Sequence, residues 1–303
     1  MKHTAGGVTR EPADWLDQQF EENRPHLRAV AYRMLGSLSD ADDAVQDVWL
    51  RFSRTDTSEV DNLKAWLTTV VARVSLNMLR SRRTRREDSL APHMPDPIID
   101  GPGAVDPEHE ALLADSVGVA LLVVLDTLTP PERLAFVLHD IFAVPFDEIA
   151  PIVDRTPEAA RQLASRARRR VQGEPTVPDA DLDRQRALVD AFMAASRDGD
   201  FDALLAVLDP DVVVRADGPL PAGRPREVRG AVAVATNAQT FAALGLLTRP
   251  AIVNGVAGAV ALNPDGTPFS VGAFTVRGDK IVAIDFLVDP ERLRDLDLTV
   301  LEV

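Results

Sequence analysis

Two clusters of arginine are the residues of this sequence best suited to chemistry with phosphate. Between Lys64 and Arg86 the chain carries seven basic residues and no acid, and between Arg155 and Arg170 it carries six basic residues against one acid, Glu158. Arginine presents a planar fork of donors that matches phosphate oxygens. In a chain of net charge −14, such local clusters are typical of a nucleic-acid interface, although either run alone also fits a solvated helix face.

Residues suited to acid–base catalysis are scarce in the C-terminal third of the chain. All five histidines and the one tyrosine, Tyr32, precede residue 183. Asp217 and Asp285 remain there as candidate bases without an evident donor for a developing negative charge. The absence of cysteine excludes disulfides, thiolate zinc sites and cysteine nucleophiles. No pair of histidines has the spacing of a metal site. We therefore predict no catalytic residue, no metal and no cofactor.

Length and composition limit the class of protein. The 303 residues predict two or three domains, and a hydrophobic content of 46% is enough for buried cores. The first twelve residues lack the apolar segment of a secretory signal. The longest apolar stretch, from Ser116 to Leu125, is too short to span a bilayer. These features predict a soluble, cytoplasmic protein that does not bind a membrane.

Helical periodicity dominates the first part of the chain. From Trp15 to Arg86 apolar residues recur at spacings of three and four. Ser39, followed by acidic residues, is the predicted N-cap of a second helix, and a third long helix is predicted to start at Lys64. The segment from Leu90 to Pro107 then contains five prolines. Proline at that density excludes a helix and predicts a spacer between domains.

The next region has the pattern of a helix-turn-helix. A helix is predicted to open at Thr129 and another at Pro145. Thr156 is a natural N-cap and Pro157 suits the first helical position of the basic helix that follows. Two short helices joined by a tight turn, with the second one basic, are typical of DNA-binding modules.

The composition changes after a second linker, residues 172–181. Two amphipathic helices are predicted around the turn at Gly199. Apolar runs bounded by turn residues then predict strands, at 211–215, 251–254, 257–262, 269–277 and 281–288. This last part is therefore predicted to be an α+β domain.

Five segments of the first two regions resemble the extracytoplasmic-function sigma factors of bacterial RNA polymerase. Residues 39–51 are similar to the region 2 helix of that family, and residues 65–86 are similar to its promoter-melting segment. Residues 128–133, 146–150 and 161–168 are similar to region 4, which binds the −35 element. The segments occur in the family's order and lie within residues 12–171.

The resemblance implies three sets of site residues. An acidic helix face suits docking on a protein, since it would repel phosphate. The implied contacts to core polymerase are Asp40, Asp43, Gln46, Asp47 and Leu50. The implied contacts to the −10 element, where Trp66 fits base stacking but fits core packing better, are Trp66, Arg73, Asn77, Arg80, Arg82 and Arg83. The implied contacts to the −35 element are Thr156, Glu158, Arg161, Gln162, Ser165, Arg166 and Arg168.

The C-terminal part resembles the SnoaL-like branch of the NTF2-like cone fold. The resemblance rests on residues 198–201, on residues 208–212 and on the final predicted strand. A sigma factor with this appendage resembles the SigJ-type, or ECF41-related, group. The linker motif of that group corresponds to residues 93–97, where the prolines are kept and the tryptophan is absent, and its glycine-rich motif corresponds to Asp217-Gly218.

The resemblance implies a multidomain chain in which two all-α sigma domains precede an α+β NTF2-like domain. The expected division is a region 2 helical bundle at 12–91, a linker at 92–107, a region 4 helix-turn-helix at 108–173, a linker at 174–182 and the SnoaL-like domain at 183–303.

The implied function is transcription initiation, and the implied partners are core RNA polymerase and promoter DNA. The third domain is expected to contact the sigma domains within the chain and to modulate them. One alternative is a ligand-responsive helix-turn-helix regulator, which leaves residues 39–51 and 64–86 without a role. The other alternative is a SnoaL-like cyclase or isomerase fused to a DNA-binding module.

Overall fold

The computed structural model describes residues 11–55, 60–85, 94–101, 118–173, 181–218, 226–242 and 244–301. Three helices come first: α1 (Glu11–Leu35), α2 (Leu38–Phe52) and α3 (Leu63–Arg85). Gly36, at φ +70°, ends α1 in a conformation that favours glycine. The N-cap of α2 is Ser37, whose hydroxyl accepts a hydrogen bond from the Asp40 amide. The predicted cap at Ser39 is wrong, because the extended backbone that a cap requires occurs at Ser37.

The three helices pack around a buried aromatic and aliphatic core. Phe20 and Phe52 are fully buried, and the Trp49 ring lies 5.0 Å from that of Phe20. Leu27 of α1 and Leu67 of α3 are likewise inaccessible to solvent. Large apolar side chains at helical spacing on all three helices explain why the periodicity of this region predicted a bundle.

The second helical region contains the predicted helix-turn-helix. It comprises α4 (Val119–Asp126), α5 (Pro130–Phe136), a π-helical turn at Val137–Ile141, α6 (Phe146–Ile149) and α7 (Pro157–Gln172). The Thr156 hydroxyl accepts from the Ala159 amide at 3.3 Å and caps α7, as the sequence predicts. At the start of α5, Thr129 and Glu132 form a reciprocal capping box.

The third region is α+β, as predicted. The helices are α8 (Leu182–Asp198), α9 (Phe201–Val207), α10 (Ala231–Ala242) and α11 (Pro290–Arg294). The strands are β1 (Ile99–Asp100), β2 (Leu208–Ala216), β3 (Glu227–Arg229), β4 (Leu247–Val253), β5 (Val256–Leu262), β6 (Pro268–Arg277) and β7 (Lys280–Leu287). A 3₁₀ turn follows at Thr299–Leu301. The strands form one sheet in the order β1-β4-β5-β6-β7-β2-β3, in which β2 and β7 are parallel and the other pairs are antiparallel.

The proline-rich segment between the helical regions is not a loose spacer where the structure describes it, at residues 94–101. Its β1 pairs with β4, which lies more than 150 positions later in the chain, through Ile99 opposite Val253. Met94, Ile98 and Ile99 are buried. The sequence predicts a spacer between domains here, and it does not predict that apolar burial and pairing with a distant strand fix residues 94–101. The predicted linker residues 92, 93 and 102–107, and residues 174–180 of the second linker, lie outside the described part of the chain.

The helix α4 joins two cores. Leu122 and Leu125 belong to a continuous apolar cluster that contains residues of both helical regions. Val119 and Val123 belong to a second cluster, on one face of the sheet. A helix that is apolar on all sides must be buried on all sides, and the position of α4 between the first two regions and the sheet satisfies that requirement.

Candidate nucleic-acid interface

The outer face of α2 carries four of the five residues predicted to contact core polymerase. Asp43, Gln46 and Leu50 are exposed, and Asp47 is partly exposed at one helical turn from Asp43. Leu50 leaves 44% of its surface accessible, which is unusual for a large apolar side chain in this protein. Asp47 forms an exposed ion pair with Arg51 at 2.8 Å. The structure therefore places an acidic surface with an apolar end on this helix.

The fifth residue, Asp40, faces α3. Its carboxylate forms an ion pair with Arg82, which also donates to the Leu35 carbonyl at 3.1 Å. The sequence assigned Asp40 to polymerase docking and Arg82 to −10 DNA. In the structure each has a partner inside the bundle, and together they fasten α3 to the ends of α1 and α2.

The outer face of α3 brings together three of the predicted −10 residues. Arg73, Asn77 and Arg80 are exposed at spacings of four and three, which places them on one side of the helix. Trp66 is partly buried, with its ring 6.1 Å from that of Phe52. It packs on the core, the interpretation that the sequence favoured. The side chain of Arg83 lies outside the described part of the structure.

The exposed face of α7 carries the predicted −35 residues that lie nearest its N-terminus. Glu158, Arg161 and Gln162 are exposed, and Ser165 is partly exposed on the same side. The Arg161 guanidinium lies over the Phe146 ring, 5.3 Å from its centre. Such a contact restricts an otherwise mobile side chain. The backbone amide of Glu158 and the Thr156 hydroxyl lower the pKa of the Glu158 carboxyl.

The more C-terminal arginines of α7 are engaged with the helical region itself. Arg166 pairs with Glu132 at 3.3 Å, and Arg168 pairs with Asp140 at 2.5 Å. Burial alone would raise the pKa of Glu132, but hydrogen bonds from Thr129 and the charges of Arg170 and Arg166 hold that pKa below its usual value. Contacts of Arg166 and Arg168 with DNA would have to compete with these pairs.

One residue of the inter-region segment, Asp96, is bonded to both the first helices and the third region. The Asp96 amide donates to the Gly36 carbonyl at 2.8 Å, and the Asp96 carboxylate accepts from the Leu38 amide at 2.9 Å. The same carboxylate accepts from Arg292 of α11 at 2.6 Å. Asp96 therefore connects the α1–α2 turn to the end of the sheet domain.

Tyr32 and Asn254 complete this connection. The Tyr32 hydroxyl donates to the Asp96 carbonyl and accepts from the Asn254 side-chain amide, each at 2.6 Å. Asn254 lies in the β4–β5 turn at φ +52°. Its Oδ1 accepts from the Ile98 backbone amide, and its own backbone amide donates to the Ile98 carbonyl. Burial raises the pKa of Tyr32, so its hydroxyl remains a donor at neutral pH. We call Tyr32, Asp96, Asn254 and Arg292 the junction.

Asp217, a candidate base in the sequence, supports the junction. Its carboxylate accepts from the Val288 amide at 2.8 Å and from Arg292 at 2.8 Å. Burial raises its pKa, although hydrogen bonds and the charge of Arg292 oppose that effect. The second candidate, Asp285, accepts from Arg215 at 2.9 Å, and both side chains are buried. Each acid is thus paired with an arginine.

The two helical regions are held together by a buried arginine. Arg133 of α5 is 3% exposed and donates to the Arg33 carbonyl at 3.2 Å. It also pairs with Asp126 at 3.2 Å. Burial lowers the pKa of Arg133, an effect that Asp126 opposes. Because Glu132 of α5 also pairs with Arg166 of α7, α5 connects α7 to the first three helices.

Two absences within the described residues bear on other functions. Among the described ranges, no group of three or more histidine or acidic side chains could hold a metal ion. No helix in that part of the chain is both long and apolar enough to cross a bilayer.

Sequence reasoning missed the junction. The signals were present but weak: a single tyrosine in a helix, an acid among prolines and an Asn-Gly turn. None of these indicates that the others lie nearby, because the residues are separated by up to 260 positions.

Comparison with known proteins covers almost the whole chain. Residues 19–85 match the family model of Sigma-70 region 2, and residues 118–171 match that of Sigma-70 region 4. The chain is 39% identical to the ECF RNA polymerase sigma factor SigJ of Mycobacterium tuberculosis over 90% of this chain and 92% of that protein. It is 33% identical to the probable ECF RNA polymerase sigma factor SigI of the same species over 93% and 96% of the two chains.

The solved structures support the same relationship. The crystal structure of the M. tuberculosis factor SigJ aligns with a TM-score of 0.72 at 35% identity, covering 92% of this chain and 98% of that one. The predicted architecture, two helical sigma regions followed by an α+β domain, is therefore confirmed. The chain belongs to the ECF RNA polymerase sigma factors and resembles SigJ over about nine-tenths of its length.

Proposed function

We propose that this chain binds core RNA polymerase through the outer face of α2 and directs it to promoters that α3 and α7 recognise. The observation that carries the proposal is the opposite character of these faces. Asp43, Asp47 and Leu50 form an acidic surface with an apolar end, whereas Arg73 and Arg80 on α3 are basic and exposed. An acidic face suits a protein partner, and a basic face suits DNA.

We further propose that the third region modulates this activity in cis through the junction. Support comes from the burial of residues 94–101 against the sheet and from the bonds of Asp96 to both the first region and Arg292. The faces of α3 and α7 can change their separation only if this segment and the shared helical core rearrange. By resemblance to the SigJ-type group, the domain supports promoter-bound activity while its C-terminal end restrains it.

We propose no catalytic role for the third region. The candidate bases Asp217 and Asp285 are ion-paired with Arg292 and Arg215. These pairs hold the two carboxylates in the sheet and at the junction, which supports a structural role for both acids.

The test is reconstituted transcription. The purified full chain, mixed with bacterial core RNA polymerase and a promoter library, should form a holoenzyme and give run-off transcripts from a narrow set of promoters. The chain alone should not retard the same duplexes. Retardation of duplex DNA by the free chain, without transcripts in the presence of core, would instead favour the ligand-responsive regulator.

A charge reversal tests the polymerase surface. Asp47→Arg should weaken binding to core by about tenfold or more, because it places a cation where the partner is expected to be basic. The fold should be unaffected, since the Asp47–Arg51 pair is exposed and such pairs contribute little to stability. Asp17→Arg, on the exposed side of α1, is the matched control. Equal affinities of the two variants for core would assign docking to another surface.

A pair of alanine variants separates base reading from phosphate contact on α7. Arg161→Ala should reduce discrimination at one −35 position by about 1–3 kcal/mol and should leave other positions unaffected. Arg169→Ala, exposed nearer the end of the helix, should weaken binding uniformly. Holoenzyme affinities on a panel of single-base −35 variants measure both. An equal loss on every duplex for Arg161→Ala would show that Arg161 anchors the backbone.

A further inference from the structure

The concave face of the sheet encloses a cavity that the proposed sigma function does not use. Its volume is about 180 Å³. The helices α8 and α10 cover it, and β5, β6 and β7 form its floor. Apolar cavities of similar size accommodate one aromatic ring. Four phenylalanines line it: Phe192, Phe269, Phe274 and Phe286.

The cavity stays open because small residues form its floor. Ala259 and Ala261 of β5 face the cavity, and Gly272 of β6 lies opposite Ala259 in the sheet. A Cβ on Gly272 would stand 2.7 Å from the Phe286 ring, so the glycine provides the space in which that ring lies. Larger side chains at these positions would fill the cavity.

The lining of the cavity is mostly apolar and has few polar side chains. These are Ser196, Arg197, Asn237, Thr248 and Ser270. The Ser196 Oγ makes no hydrogen bond to any residue that the structure describes, but it is inaccessible to solvent and therefore does not face the open cavity.

The next residue along α8 supplies charge at the edge of the cavity. Arg197 lines the cavity and is exposed, and no ion pair involves it in the described ranges. The other arginines of α8, Arg184 and Arg186, both pair with acids. An unpaired guanidinium beside a hydrophobic cavity suits a carboxylate.

We propose that this cavity binds a small monocarboxylate with a compact apolar body, a ring or a short chain. The apolar body occupies the space between the phenylalanines and the small-residue floor. The carboxylate lies against the Arg197 guanidinium at the edge of the cavity. None of its residues lies on α2, α3 or α7, so the site is separate from the surfaces proposed to bind polymerase and DNA.

Direct titration of the full chain tests the proposal. Phenylacetate, hexanoate and cyclohexanecarboxylate serve as probes, phenylacetamide is the neutral isostere and acetate lacks the apolar body. At the efficiency usual for ligands of about ten heavy atoms, the best probe should bind once per chain with a Kd on the order of 0.1–1 mM. Phenylacetamide should bind several-fold more weakly than phenylacetate, and acetate should not bind. Absence of saturable binding by all three acids overturns the proposal.

Two variants locate the binding. Ala261→Leu should abolish binding by filling the cavity, with an unchanged thermal midpoint showing that the domain still folds. Arg197→Gln, at an exposed position, should remove the preference for phenylacetate over phenylacetamide while retaining the affinity for the amide. Undiminished binding in Ala261→Leu, or a retained preference for the acid in Arg197→Gln, would overturn the proposal. The assay contains no polymerase, so its failure is distinct from a failure of the transcription test.

Discussion

Replacing Arg292 with alanine should release the segment at 94–101 from the third region. Arg292 bridges Asp96 at 2.6 Å and Asp217 at 2.8 Å, and its loss leaves the buried Asp217 without a counter-charge. Removing a charged hydrogen-bond partner costs about 1.5–3 kcal/mol, which corresponds to roughly a ten- to hundredfold increase in the released population. Hydrogen exchange of the Ile98 and Asn254 amides, which are bonded across the junction, measures the release.

The matched control for this variant is Arg294→Ala. Arg294 lies on the same short helix but donates to the Pro290 carbonyl of its own turn. If the C-terminal end restrains the sigma regions, Arg292→Ala should also raise run-off transcription, and Arg294→Ala should not. A released segment with unaltered transcription would show that the junction has no regulatory role.

The effect of Arg292→Ala should depend on pH in a defined direction. Burial already raises the pKa of Asp217, and removing Arg292 raises that pKa further. A carboxyl whose folded-state pKa is raised favours the native state when protonated and disfavours it as pH rises through that pKa. The difference in unfolding free energy between wild type and variant should therefore be greatest at neutral pH and should shrink as pH falls. Urea unfolding across the acidic range checks the sign.

Point variants test the junction better than truncations. A chain ending near Pro178 would expose Met94, Ile99 and Val119, which the sheet buries. A chain ending at Asp285 would cut through β7, the strand between β6 and β2. Loss of activity in either truncation would reflect exposed apolar surface as much as lost regulation.

Sequence reasoning succeeded where local chemistry decides structure. Thr156 and Pro157 specify the start of α7 through capping and a fixed φ, both of which act within one helical turn. The strands β5, β6 and β7 were predicted within two residues because apolar runs end at turns rich in glycine and asparagine. The exposure of Arg73 and Arg161 agrees with the helical periodicity of α3 and α7, whereas their assignment to DNA comes from the resemblance to the sigma-factor family.

It failed where distant contacts decide structure. β1 has only two residues, and its pairing with Val253 and Ile252 leaves no local pattern. At residues 94–101, the described part of this segment, the proline content correctly excluded a helix but carried no information on burial. For the candidate site, the exposed residues were predicted. Ion pairs such as Asp40–Arg82 were not, because a charge at a given helical spacing does not reveal which neighbour it meets.

Replacing Arg215 with methionine should strongly destabilise the third region. Arg215 on β2 lies opposite Asp285 on β7 and donates to it at 2.9 Å, with the two side chains 7% and 0% exposed. Breaking a buried pair leaves an uncompensated charge and costs about 3–5 kcal/mol. At roughly 2–8 °C per kcal/mol for domains of about 60–250 residues, the thermal midpoint should fall by at least about 6 °C. Arg277→Met, an exposed arginine at the end of β6, should leave the midpoint nearly unchanged.

The double variant Arg215→Met with Asp285→Leu decides the cause. Replacing a buried pair by apolar residues of similar volume is often neutral or stabilising, so the double variant should recover most of the lost midpoint. Recovery assigns the loss in Arg215→Met to the carboxylate of Asp285 that has lost its arginine partner. A double variant as unstable as the single one would show instead that the hydrogen bonds of the pair, rather than its charge balance, hold β2 against β7.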